Sequence, residues 1–197
     1  MNLANKLTIF RMILVPIMVI FAYLPIEGKV AGVAVTMLIM DAIFIIASIT
    51  DKLDGYIARS RNQVTTFGKF LDPLADKILV LSAMVILVEK GLLPAWIPII
   101  VLAREFIVSG FRLIAVEKGG KVIAASIWGK LKTVTQMIAL IFAFVDNYGF
   151  FAFVSGGISG IALVINIVTS VMMAISVVAT VFSGWDYLSS GKNLFKE

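Results

Sequence analysis

The chain has 197 residues, 60% of them hydrophobic, with a mean hydropathy of +1.04 and a formal net charge of +5. Soluble domains run about 45–50% apolar, so this composition describes an integral membrane protein, and the length asks for one domain, residues 1–197. With no cysteine and no histidine, disulfides, thiol nucleophiles and Cys/His zinc sites are excluded, and a general base falls to Asp, Glu, Lys or Tyr.

The opening residues are polar, with Asn2, Asn5, Lys6, Thr8 and Arg11. The apolar run from Met12 contains Pro16, and no A-x-A site follows, which argues against a secretory signal. A short N-terminal interfacial segment entering a first membrane helix over roughly 8–24 is expected. Leu24-Pro25-Ile26-Glu27-Gly28-Lys29 reads as a turn. The second span runs from about Val30 toward Arg59, and a polar loop follows at about 60–66. A third span covers roughly 68–88, ended by the turn Glu89–Pro94, and a fourth covers roughly 95–117. Beyond a loop with Gly119-Gly120, a fifth span covers about 126–145, and Asp146–Gly149 turns the chain again. The sixth span lies within about 152–183, longer than the roughly 20 residues a crossing needs. Trp185 and Tyr187 suit an interface position, and the tail carries Lys192 and Lys196. The expected class is all-α, a polytopic membrane protein of about six transmembrane helices.

Six spans place both termini on one side. Of the 17 basic residues, Lys29 and Lys90 fall in turns of one side, and the other fifteen fall on the opposite side or in helix ends nearest it. By the positive-inside rule the termini and the 51–76 region face the cytoplasm of a cell-membrane protein. The net charge therefore belongs to topology and implies no nucleic-acid partner.

Four carboxylates crowd a chain that has few charges. Asp51 and Asp54 are three apart and Asp72 and Asp76 four apart, so each pair shares a helix face. Gly55, Ala58 and Arg59 fall on the Asp51 face, and Gly68 lies one turn before Asp72. Acids packed this closely repel unless cations hold them, and oxygen-only ligands favour a hard ion, Mg²⁺ or Mn²⁺. Four carboxylates match the charge of two such ions, which sit about 3.5–4 Å apart in two-metal sites. Gly55 and Gly68 remove side chains where a substrate approaches the backbone. Asp41 lies ten residues before Asp51, about 15 Å deeper along a helix, and reads as a buried polar contact between helices.

A second constellation lies in the fourth and fifth spans. Arg104 and Arg112 are eight apart, two turns on one face, and an arginine inside a span should face a polar cavity. Lys130 and Lys132 follow at the opening of the next span. Arginine grips phosphate as a planar fork and lysine as a point charge.

The run D-x2-D-G-x2-A-R-x8-G-x3-D-x3-D, from Asp51 to Asp76, is the signature of the CDP-alcohol phosphotransferases, and this sequence resembles that family at every fixed position. The runs Arg104–Arg112 and Ala125–Thr133, with the opening Ala4–Arg11, are similar to the branch that makes phosphatidylglycerolphosphate. Ala4 stands where the family often has proline. The resemblance covers residue 2 to about 133, and the last third matches only as hydrophobic spans.

The resemblance implies transfer of a phosphatidyl group from CDP-diacylglycerol to glycerol 3-phosphate at a bilayer, with release of CMP. It implies two divalent cations, Mg²⁺ or Mn²⁺, held by Asp51, Asp54, Asp72 and Asp76, with Asp76 also the general base. Asn5, Thr8, Arg11, Gly55, Arg59 and Gly68 are then expected around the CDP-lipid, and Arg104, Arg112, Lys130 and Lys132 at the acceptor's phosphate. By analogy the protein is a homodimer. The alternatives are the same chemistry on inositol phosphate, serine or phosphatidylglycerol, or, as a non-enzyme, an ion-coupled transporter. A membrane prenyltransferase would carry DDxxD-like motifs, and no adjacent Asp pair exists.

Overall fold

The computed structural model describes residues 3–60, 66–117 and 126–190, with side chains described except at 3, 4, 54–60, 66, 67, 69, 70, 115–117 and 190. Most of the polar loop, 61–65, the Gly119-Gly120 connection and the tail with Lys192 and Lys196 lie outside the described residues. The described elements are α1 (Leu3–Tyr23), the strands β1 (Lys29–Val30) and β2 (Val33–Ala34), then α2 (Val35–Ser60), α3 (Thr66–Glu89), α4 (Trp96–Glu117), α5 (Ile127–Val145), a 3₁₀ turn (Ala152–Ser155) and α6 (Gly160–Ser190). The all-α class holds. Helix α1 already begins at Leu3, so the polar opening forms the first turns of the span helix itself.

Among the described residues, three helices are long and apolar enough to cross a membrane by length and composition, over Asn5–Tyr23, Ile127–Val145 and Gly160–Ser189. Helices α2, α3 and α4, at 26, 24 and 22 residues, have the length as well. They differ in their charges, which are the residues of the two constellations.

Two turns show how local chemistry sets the connections. The β1–β2 hairpin pairs Lys29 with Ala34 and Val30 with Val33, leaving Ala31 and Gly32 as a two-residue loop. Both have positive φ, 51° and 85°, as a twisted two-residue hairpin requires. At the end of α3, the Leu92 amide donates to the Leu87 carbonyl and the Gly91 amide to the Val88 carbonyl. Gly91 at φ 74° is the left-handed residue of this helix-ending motif.

The chain divides into two compact units. The first comprises residues 1–92 and 143–147. In it α1 packs against both α2 and α3, and α2 against α3. The buried positions of α1 are Asn5, Thr8, Arg11, Val15, Met18 and Ala22, a stripe at intervals of three or four. Helix α2 buries Met37, Met40, Phe44 and Ala47, and Asp51 continues that face one turn on. Helix α3 buries Gly68, Ala75, Leu79 and Ala83, and Asp72 shares their face. The apolar stripe and the signature acids are therefore one periodic pattern, apolar along the span and acidic at one end. Small residues at Ala47, Ala75 and Ala83 let the helix backbones approach. Ile13, Ile20, Ile46 and Ile49 remain exposed on the outer faces, as lipid contact would have them.

The second unit comprises residues 93–142 and 148–197, in which α4 packs on α6. The chain entering α6 is pinned by its own helix. Asn166 accepts from the Phe153 amide at 2.8 Å and donates to the Gly149 carbonyl at 2.6 Å, and Ser170 accepts from the Phe151 amide at 2.8 Å. Helix α6 buries a polar stripe of Asn166, Ser170, Ser176, Thr180, Ser183 and Tyr187. Trp185, by contrast, is exposed, as an interface aromatic should be. Tyr187 departs from the interface role expected of it: it is 2% exposed and packs inside the unit.

Candidate active site

Helix α1 gathers the first unit's polar end. Thr8 and Arg11 are one turn apart on its buried stripe, so their Cβ atoms are about 5–6 Å apart. The Thr8 hydroxyl donates to Asp72 Oδ1 at 2.7 Å. The Arg11 guanidinium pairs with Asp51 Oδ1. Asp51 comes from α2 and Asp72 from α3, so neighbouring residues of α1 engage both halves of the acidic signature. Arg11 is fully buried, while the Asp51 side chain keeps 39% of its surface exposed. Asn5 lies buried one turn before Thr8, Gly68 is buried one turn before Asp72, and half-buried Asp76 follows one turn later on the same face of α3. Asp54, Gly55 and Arg59 lie on α2, and their side chains fall outside the described residues.

The residues present fit a hard cation in chemistry. Asp51 and Asp72 are oxygen donors brought together at α1, and a positive group, the buried Arg11, already sits against Asp51. Among the described residues no three acids, histidines or cysteines stand close enough to hold one ion. Asp41 stays apart, buried on α2, and its Oδ1 has no hydrogen-bond partner among the described residues. The interhelical contact expected of it is not made through that oxygen.

The second unit holds the basic constellation. Glu105 Oε1 accepts from Lys132 Nζ at 2.6 Å and from Arg104 Nη1 at 2.8 Å. Arg104 Nη2 also donates to Ser183 Oγ. A Cβ on Gly129 would come within 3.5 Å of Arg104 Nη2, and one on Gly184 within 3.5 Å of its Cγ. Arg104 thus threads between α5 and α6 at two glycines. Ser126 caps α5, its Oγ accepting from the Gly129 amide at 3.3 Å, which sets where Gly129 and Lys130 emerge. Arg112 donates through Nη2 to the Tyr187 hydroxyl at 2.8 Å. The Tyr187 ring lies under both arginines, 5.9 Å from Arg104 Cζ and 5.6 Å from Arg112 Cζ.

The structure therefore gathers Arg104, Arg112 and Lys132 about Glu105, Ser183 and Tyr187. Lys130 is exposed on the first turn of α5. Lys132 is buried against Glu105, so much of its charge is met within the protein. Glu105, Ser183 and Tyr187 were not among the residues expected from sequence. Glu105 had a signal, a lone acid beside Arg104 inside a span. Ser183 and Tyr187 had little, since they stand among ordinary α6 residues.

The family model for CDP-alcohol phosphatidyltransferase matches residues 1–182. A Bacillus subtilis (strain 168) CDP-diacylglycerol–glycerol-3-phosphate 3-phosphatidyltransferase is 42% identical over 200 residues, covering 99% of this chain and 97% of that protein. A Haemophilus influenzae protein of the same name is 48% identical over 143 residues, 71% of this chain and 73% of its own. A Mycobacterium tuberculosis probable phosphatidylglycerophosphate synthase is 37% identical over 188 residues, 95% of this chain and 80% of its own. On a match that runs through both units, the chain belongs to the CDP-alcohol phosphatidyltransferase family.

Proposed function

We propose that this chain transfers a phosphatidyl group from CDP-diacylglycerol to sn-glycerol 3-phosphate, giving phosphatidylglycerolphosphate and CMP. The observation that carries the reading is the joining of Asp51 and Asp72 through Arg11 and Thr8 on α1. Members of the family are transferases, and the relatives' names support this donor and this acceptor. The match over 1–182 also supports one catalytic domain over residues 1–197.

In this reading Asp51, Asp54, Asp72 and Asp76 would hold two divalent cations, Mg²⁺ or Mn²⁺. Bound there, the cations would offset negative charge on the pyrophosphate and the departing CMP. Asp76 takes the proton from the acceptor's free hydroxyl. The hydroxyl oxygen forms a bond to the lipid-linked phosphorus, the bond from that phosphorus to the CMP oxygen breaks, and CMP leaves with the electron pair. Arg11 and Thr8 orient Asp51 and Asp72, and with Asn5, Gly55, Arg59 and Gly68 they surround the nucleotide. Arg104 and Arg112, with Lys130 and Lys132, bind the acceptor's phosphate. A cluster with this surplus of positive charge favours a phosphorylated acceptor over serine.

The reading places the acidic site and both termini on the cytoplasmic side of the cell membrane, in a homodimer. Purified protein given radiolabelled CDP-diacylglycerol and a panel of acceptors tests the activity. CMP release that depends on glycerol 3-phosphate is expected, and release driven equally by serine or inositol phosphate would overturn the acceptor. The chain lacks native cysteine, so Lys29→Cys tests the orientation. An impermeant reagent should label it in intact cells, and protection there would reverse the topology.

A further inference from the structure

We infer that Tyr187 is a positioning residue for the acceptor's phosphate, holding Arg112 in place without neutralising it. The inference rests on the reading of Arg104 and Arg112 as the acceptor site.

The two arginines are held by different chemistry. Arg104 is paired with Glu105 and hydrogen-bonded to Ser183, so an anion meets its charge and two helices fix its path. Arg112 is exposed, and among the described residues no carboxylate pairs with it. A long exposed arginine would sample many rotamers and lose that freedom on binding. Tyr187 removes the freedom in advance. Its hydroxyl accepts one of the guanidinium's five N–H donors at 2.8 Å, and its ring lies 5.6 Å from Arg112 Cζ. The phenol is neutral, so the full positive charge and the remaining donors stay available to a phosphate. A carboxylate in the same place would hold the arginine as well and cancel its charge.

The surroundings suit that task. Tyr187 is 2% exposed, so its own ring is fixed by packing. Ser183 and Tyr187 are four apart on α6, one face one turn apart, and they engage Arg104 and Arg112 respectively. The same ring lies 5.9 Å from Arg104 Cζ, so one aromatic sets the separation of both guanidinium groups. A bidentate or two-arginine grip on phosphate depends on that separation.

The test is a set of Michaelis constants on the full-length purified protein. Tyr187→Phe keeps the buried ring and loses the hydroxyl. It should raise the KM for glycerol 3-phosphate about three- to tenfold, the value of one hydrogen bond, with the KM for CDP-diacylglycerol and kcat at saturating acceptor changed by less than about twofold. Tyr187→Leu loses ring and hydroxyl and should raise the acceptor KM further, so Phe ranks between Tyr and Leu. In an Arg112→Ala background, Tyr187→Phe should add nothing, because the two act as one unit. An unchanged acceptor KM in Tyr187→Phe, or equal losses for both substrates, overturns the inference. If Arg112→Ala raises the acceptor KM while Tyr187→Phe does not, only the role of Tyr187 fails. If Arg112→Ala leaves the acceptor KM alone, the acceptor-site reading itself fails.

Discussion

The acidic end of the first unit and the basic cluster of the second are built in opposite ways. The acids stand in one continuous stretch of sequence, Asp51 to Asp76, on the periodic faces of α2 and α3, and α1 adds two partners one turn apart. The basic cluster draws on α4, α5 and α6, from Arg104 to Tyr187, and no spacing rule links the members on one helix to those on another. Like charges also need different handling in the two places. Asp51 meets the Arg11 guanidinium and Asp72 the Thr8 hydroxyl, and in the proposed function metal ions would offset negative charge there. Arg104 and Lys132 share Glu105 while Arg112 meets the Tyr187 hydroxyl, and in the proposed function this cluster would bind a phosphate. The difference teaches that the acidic pairs are encoded locally, while the basic cluster is assembled through tertiary packing.

Substitutions on either side break or sharpen that contrast. Asp76→Asn keeps the shape and removes the proposed base, and kcat should fall about 10²- to 10⁴-fold with any acceptor. Chelation should stop turnover as well, with Mg²⁺ or Mn²⁺ restoring it, and full activity in excess EDTA would refute a metal-dependent acidic site. Glu105→Ala acts on stability: it leaves Arg104 and Lys132, 13% and 10% exposed, without their shared counter-charge. Loss of one partner from a buried ion pair costs about 3 kcal/mol or more, which thermal unfolding in detergent should show as a large fall in midpoint. An unchanged midpoint would mean that Glu105 serves the substrate alone.

Arg112→Ala is the next largest effect. A charge-assisted hydrogen bond contributes about 1.5–3 kcal/mol, and each 1.4 kcal/mol is about tenfold. The apparent KM for glycerol 3-phosphate should rise by about one to two orders of magnitude, with little change for CDP-diacylglycerol. Equal weakening of both substrates would place Arg112 in the structural frame or at the nucleotide. The smallest effect is Thr8→Val, which removes the hydroxyl that orients Asp72 and keeps the side chain's shape. kcat/KM for CDP-diacylglycerol should drop about three- to tenfold, while the acceptor KM holds. A shift in acceptor KM instead would erase the separation between the two regions.

Much of the first unit follows from the sequence because its organising forces are local and periodic. Hydrophobicity sets the helices. A 3.6-residue repeat carries the same face from Phe44 through Ala47 to Asp51, and from Asp72 back to Gly68. Gly91 ends α3 by backbone chemistry at a single position, whereas the hairpin over 29–34 occupies the place where the second span was expected to begin, near Val30, and α2 starts only at Val35. Even the α1 set Asn5, Thr8 and Arg11 has helical spacing. Its partners on α2 and α3 required the structure, because spacing on one helix says nothing of which helix it meets.

Sequence alone determined the membrane class, the helices, the acidic pairs and the presence of arginines within a largely apolar helix, since composition and periodicity act over a few neighbouring residues. Only the tertiary structure decided that Arg11 meets Asp51, that Thr8 meets Asp72, that Lys132 and Arg104 share Glu105, and that Tyr187 lies buried beneath two arginines. Tyr187 shows the physical reason. An aromatic with a polar tip near a helix end satisfies a membrane interface and a neighbouring guanidinium equally well, and only the packing of α4 on α6, which brings Arg112 to Tyr187 across 75 residues of chain, selects between them.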